Sequence, residues 1–216
     1  MLATLGKPLV ALALTALLGG ATVVLAHDNE PAADCVTATQ SATQATLRDL
    51  WIGHIFWVRN VALETMAHDD AAAKVAEGEV VANARQIAAS IEPFYGKAGS
   101  DALMNLLVEH YGAVKAHIDA TDAADKDKQA AAAKSLTDNA GHIADFLSGA
   151  NPNLPRATVV SLFVGHGAHH MSQDQQIKDR QFAQEAKTWA AMREHMYVIA
   201  DALTGAIAKQ FPDKFN

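Results

Sequence analysis

The 216-residue chain is half apolar, 19% charged and carries a formal charge of −7, a balance that excludes a basic nucleic-acid binder and offers little to an anionic membrane surface. Its one cysteine, Cys35, excludes an internal disulfide and four-thiolate iron–sulfur ligation, so the fold rests on its core. Serine nucleophile elbows, phosphate-binding loops, C-x-x-C-H haem attachment and H-E-x-x-H are missing as well. No nucleotide is expected, and no enzyme class is indicated.

The N-terminus carries Lys7, an apolar run from Leu9 to Leu18, Gly19-Gly20, and then Val24-Leu25-Ala26. This reads as a secretory signal peptide over residues 1–26, cut after Ala26, which predicts a periplasmic or secreted protein. An uncleaved anchor is the alternative, because Leu9 to Ala26 nears the length that spans a bilayer. Cys35 is no lipoprotein cysteine, since Asp34 precedes it; it can pair between chains of a homodimer or stay a free thiol. Cleavage would remove Lys7 and leave 16 basic against 24 acidic side chains, a net charge of −8. Residues 27–36, with Pro31, read as a flexible lead, and residues 37–216 as a single domain.

From there the pattern is helical throughout. Leu47, Trp51, Ile55, Val58 and Ala62 lay an apolar stripe on a first helix, and His54 falls on it. Asp69-Asp70 suits the start of a second, with a stripe of Val75, Ala82, Ile87 and Ile91 that stops at Pro93-Phe94-Tyr95-Gly96. A third helix carries Leu103, Leu106, Leu107, His110, Val114 and Ile118, followed by a charged loop from Asp122 to Lys128. A fourth holds Leu136, Ile143, Phe146 and Leu147 and ends at Asn151-Pro152-Asn153-Leu154-Pro155. The fifth runs through Val159, Leu162, Phe163 and His166. The sixth is expected over about Ser172 to Gln210, with Ile177, Phe182, Trp189, Met192, Met196, Ile199, Leu203 and Ile207 buried and Pro212 closing it. The expected fold is an all-α antiparallel bundle of about six helices.

One spacing organises this pattern. Asn83-Ala84-x-x-Ile87-Ala88 returns as Asn139-Ala140-x-x-Ile143-Ala144, and Leu106-Leu107-Val108-x-His110 returns as Leu162-Phe163-Val164-x-His166, both 56 residues on. A single offset for two separated blocks points to an internal duplication of a helix pair, the second and third helices matching the fourth and fifth. His110 and His166 would then be pseudo-symmetric, Asn83 and Asn139 related by the same operation, and His54 outside the duplication. Asparagine is a poor helix-interior residue, and side-chain hydrogen bonds pairing Asn83 with Asn139 across the pseudo-axis would account for both.

The chain resembles a little-characterised group of bacterial helical-bundle proteins. The shared marks are Leu50-Trp51-x-x-His54-x-x-Trp57-x-Arg59, the Pro93-Phe94-Tyr95-Gly96 turn, the helix ending at His110, the segment Asn139 to Pro152, and Gln210-Phe211-Pro212-x-Lys214-Phe215. The likeness covers nearly the whole chain after the leader and implies a shared fold. A glycosyltransferase label attached to such relatives has no counterpart in a chain with no room for a nucleotide-sugar domain. Where relatives place an acidic residue before the repeated isoleucine, this chain has Gln86 and His142, so a carboxylate-bridged metal centre is not implied.

His54, His110 and His166 sit on the apolar stripes of three different helices. Three neutral imidazoles suffice to hold a zinc or copper ion, with Glu109 or Glu64 as carboxylate additions. His170, four residues after His166, can join them if the helix persists through Gly167. The competing reading makes each histidine a hydrogen-bonded core residue, and the Gly165-His166-Gly167-Ala168-His169-His170 run a surface cluster near a helix end. A non-covalent haem between histidine-bearing helices also fits the sequence. Asn83, Asn139, Trp57 and Arg59 are candidates for contacts with a cofactor, ligand or partner. Two functional readings follow: a metal or small-ligand binding protein with a histidine-lined pocket, or a structural or protein-interaction module with core histidines. An enzyme is the third.

Overall fold

The computed structural model describes residues 36–216. The signal-peptide or anchor segment, nearly all of the 27–36 lead and Cys35 therefore lie outside the described residues. Six helices follow one another: α1 (Ala38–Met66), α2 (Asp70–Ser90), α3 (Glu92–Asp122), α4 (Lys126–Ala150), α5 (Arg156–Lys178) and α6 (Phe182–Gln210), then one 3-10 turn (Pro212–Lys214). The fold is an all-α bundle. None of these helices is long and apolar enough to cross a membrane.

Local chemistry sets the helix ends. The Thr37 hydroxyl accepts from the Gln40 amide, and the Asp69 and Asp125 carboxylates accept from the Ala72 and Lys128 amides, so three N-termini have one orphan amide satisfied. The turns after α1, α3 and α5 share one hydrogen-bond pattern. The amides of Asp69, Asp125 and Gln181 reach the carbonyls of Glu64, Ala120 and Gln176, at 3.0, 2.8 and 2.8 Å. His68, Ala124 and Arg180 take the left-handed conformation at φ 58°, 56° and 58°. This is the Schellman closure, here made without glycine. The three turns stand 56 residues apart, as do His54, His110 and His166. The spacing thus extends to α1 and includes His54, which the sequence reading placed outside it.

The helices alternate between two positions. α1, α3 and α5 each touch both of the others, while each even helix packs between its two sequence neighbours, with α6 closing back on α1. An inner triangle of odd helices therefore receives every histidine of interest. Two apolar clusters fill the bundle, one around Trp51, Leu107 and Phe163, the other around Val58, Val114 and Ile177. Along α3 and α5 the histidine layer falls between them, and on α1 His54 lies at the end of the first cluster, one residue before Ile55.

Several local expectations are corrected. The sixth helix does not begin at Ser172: α5 continues to Lys178, and the chain turns at Asp179–Gln181 because Arg180 leaves helical geometry. The second helix stops at Ser90, just before Pro93–Gly96, and that segment opens α3, which kinks at Gly96, φ 71°. Val75 and Phe182 are exposed rather than buried. Asn83 and Asn139 do not pair with each other, because each reaches a backbone carbonyl on the preceding helix.

Candidate metal centre

The inner helices bring His54, His110 and His166 together, and their ligand nitrogens all lie within 4.8 Å of one another. His54 is 4%, His110 2% and His166 0% exposed. The sequence reading of a surface cluster around His166 and His170 is thus overturned, since His170 is 1% exposed and α5 persists through Gly167. His170 Nε2 stands 3.1 Å from His166 Nε2, and its ring centroid is 5.8 Å from that of His54. His169, on the other side of the helix, lies beside His195, with ring centroids 5.5 Å apart.

Each cluster histidine has its turn of helix gripped from a neighbouring helix. Asn83 Nδ2 donates to the Leu50 carbonyl at 3.0 Å, Asn139 Nδ2 to the Leu106 carbonyl at 3.0 Å, and His195 Nε2 to the Leu162 carbonyl at 2.8 Å. Those carbonyls lie four residues before His54, His110 and His166. Asn139 does more: its Oδ1 accepts the Nδ1–H of His110 at 3.0 Å. That bond fixes the tautomer and leaves His110 Nε2 as a lone pair without a partner. His54 Nε2, His166 Nδ1 and Asn83 Oδ1 are likewise buried and unpartnered.

Burial makes these imidazoles poor bases. Desolvation, helped by neighbouring His110, holds His54 down at about 3. His166 and His170 are driven well below the usual histidine range, by burial first and then by the histidines around them. His110 is lowered by burial against the opposing pull of its bond to Asn139. The cluster is therefore neutral at physiological pH, the form in which imidazole ligates a metal. Core histidines normally satisfy their ring nitrogens. Three of these residues leave one unsatisfied.

The carboxylates considered from sequence are not part of this group. Glu109 is exposed and faces His142 at 3.9 Å, and Glu64 is absent from the cluster. Arg59 forms a two-pronged pair with Glu185, at 2.6 and 2.9 Å. Gln173 Nε2 adds a third bond to Glu185, at 2.8 Å. The pair pulls the Glu185 carboxyl down and the Arg59 guanidinium up, each through its hydrogen bonds to the other. Trp57 is partly exposed and packs edge-on to Phe56, with ring centroids 5.0 Å apart.

Sequence reasoning missed one buried couple. His117 Nδ1 lies 2.7 Å from Asp174 Oδ2, and the residues are 6% and 2% exposed. The signal was present on α5: His166, His170, Gln173 and Asp174 follow one another at steps of four, three and one, a polar stripe on one helix face. All four are buried.

No protein-family model matches the chain, and neither a curated protein nor a solved structure resembles it significantly.

Proposed function

We propose that this is an exported protein that holds a metal ion in its interior, with His54, His110 and His166 as ligands and His170, hydrogen-bonded to His166, beside them. The observation that carries the reading is the convergence of three buried, neutral imidazoles that leave ring nitrogens without partners. Three atoms no more than 4.8 Å apart all lie within about 3 Å of a common point, and zinc–imidazole bonds of about 2.0–2.1 Å require only a modest inward movement. An all-imidazole donor set suits zinc or copper better than magnesium or calcium, which favour oxygen. Three imidazoles meeting at one place leave no plane for a macrocycle, which argues for an ion over haem.

Bound there, the ion would supply Lewis acidity or, for copper, a redox couple. The protein's own part is to hold the imidazoles neutral, fix the His110 tautomer through Asn139, and exclude water between two apolar clusters. Metal analysis of protein purified from its own periplasm without a histidine tag tests the reading. About one zinc or copper per chain is expected. Fewer than one ion per several chains would favour the alternative of a structural module with core histidines.

A further inference from the structure

A buried site needs a way in, and one surface cleft borders the turn of α1 that carries His54. The cleft encloses about 310 Å³ between α1, α2 and α6. Its lining includes Asp49, Gly53, Trp57, Glu79, Asn83 and Trp189. Gly53 immediately precedes His54, and Asn83 is the residue that grips the turn carrying it. Two members of this wall therefore belong to the immediate surroundings of a cluster histidine.

The chemistry of the lining suits a cation. Asp49 and Glu79 are exposed carboxylates with no ion-pair partner among the described residues. Asn83 is 6% exposed, and its Oδ1 is buried without a hydrogen-bond partner. A carbonyl oxygen in that state is a ready transient ligand for a metal ion that has begun to lose water. The backbone of α1 also approaches Asn83 closely at this point. A Cβ on Gly53 would stand 3.0 Å from Asn83 Nδ2, so any larger residue there would pin the asparagine. Glycine leaves room for its amide, whose Nδ2 is held by the Leu50 carbonyl while its Oδ1 has no partner.

We propose that this cleft is the entry port for the ion, with Asp49 and Glu79 steering a hydrated divalent cation and Asn83 acting as the gate to His54. The proposal rests on the metal-binding reading above. Its rival is the larger groove between α3 and α4, about 740 Å³, which also carries two carboxylates, Glu109 and Asp119.

Stopped-flow loading of the metal-free protein with zinc, read by a competing zinc indicator, separates the two routes. At low salt, the Asp49→Asn/Glu79→Gln variant is expected to load roughly tenfold more slowly than the parent, with the gap closing in high salt as steering is screened. Glu109→Gln/Asp119→Asn, with the same charge change, is expected to load at the parental rate. Gly53→Ala, which crowds the gate, should slow loading at every salt concentration. Parental loading by the cleft variant, or equal slowing by both double variants, would overturn the port while leaving metal binding intact. A parent protein that takes up no zinc would overturn both. All four carboxylates are solvent-exposed, and thermal melts of the metal-free variants confirm that the rates compare folded proteins.

Discussion

Asn139 holds His110 at two points: its amide nitrogen grips the Leu106 carbonyl one turn earlier, and its oxygen takes the imidazole Nδ1–H at 3.0 Å. Histidine ligands are commonly oriented by such an acceptor behind the ring, and losing one lowers metal affinity about ten- to hundredfold. Asn139→Leu is expected to lose zinc affinity by that factor in a competition titration. Asn139→Asp keeps an acceptor behind the ring and should stay within a few-fold of the parent. Equal losses in both would assign Asn139 to the helix contact alone.

His54→Leu separates the ligand role from a core role. Replacing a desolvated imidazole that lacks a partner at Nε2 with an aliphatic side chain of similar size removes a buried unsatisfied atom. Metal retention should vanish while the metal-free protein, followed by urea unfolding, stays within about 1 kcal/mol of the parent or gains stability. A core hydrogen-bonding histidine would instead show a loss of about 1–3 kcal/mol.

Acid should unfold the metal-free protein early. His54 is neutral in the fold down to about 3, whereas an unfolded histidine takes up its proton near 6.5. Between those values the unfolded chain binds more protons, so stability is full above about pH 6.5 and falls as pH drops, by about 1.4 kcal/mol per unit for each such histidine. His110, His166 and His170 are shifted in the same direction. Chemical-denaturation midpoints measured from pH 7 to pH 4 should decline steeply. A flat profile through pH 5 would mean that the cluster is not neutral in the fold.

Ala124 occupies a left-handed position at φ 56° in the turn after α3. An L-residue there costs about 1 kcal/mol that glycine does not. Ala124→Gly is therefore expected to raise the unfolding free energy by somewhat less than that figure, since glycine also gains freedom in the unfolded chain. Urea melts resolve such a difference, and a clear loss of stability would contradict the turn geometry.

Arg59→Met should destabilise by about 3 kcal/mol, because it leaves the buried Glu185 carboxylate with only Gln173 as a side-chain partner. The double variant Arg59→Met/Glu185→Leu should recover most of that loss. Failure of the second change to rescue the first would show that Arg59 contributes through its guanidinium over Trp189, whose ring centroid lies 5.7 Å from the guanidinium carbon.

The helices were legible because their stripes are periodic, and Asp69 announced α2 through ordinary capping chemistry. His110 and His166 were legible as a pair because the residues around them repeat. The first and third members of the pattern were harder to see. Around His54 the motif reads Leu50-Trp51 rather than Leu106-Leu107, and the gripping asparagine of α2 and α4 becomes His195 on α6, where imidazole does the work of an amide. The break between α5 and α6 was hidden because Arg180 takes a left-handed turn that sequence usually marks with glycine. The roles of Arg59 and Asp174 depend on partners 126 and 57 residues away, beyond any local pattern.

The three converging imidazoles come from α1, α3 and α5, and His54 and His166 stand 112 residues apart. Neighbouring helices can form early from contacts close in sequence, while the histidine layer exists only after all three inner helices have docked. An ion held there binds no partial structure at full strength, so its affinity is coupled to completion of the whole bundle. Metal occupancy would then act as a quality mark, separating finished molecules from half-assembled ones.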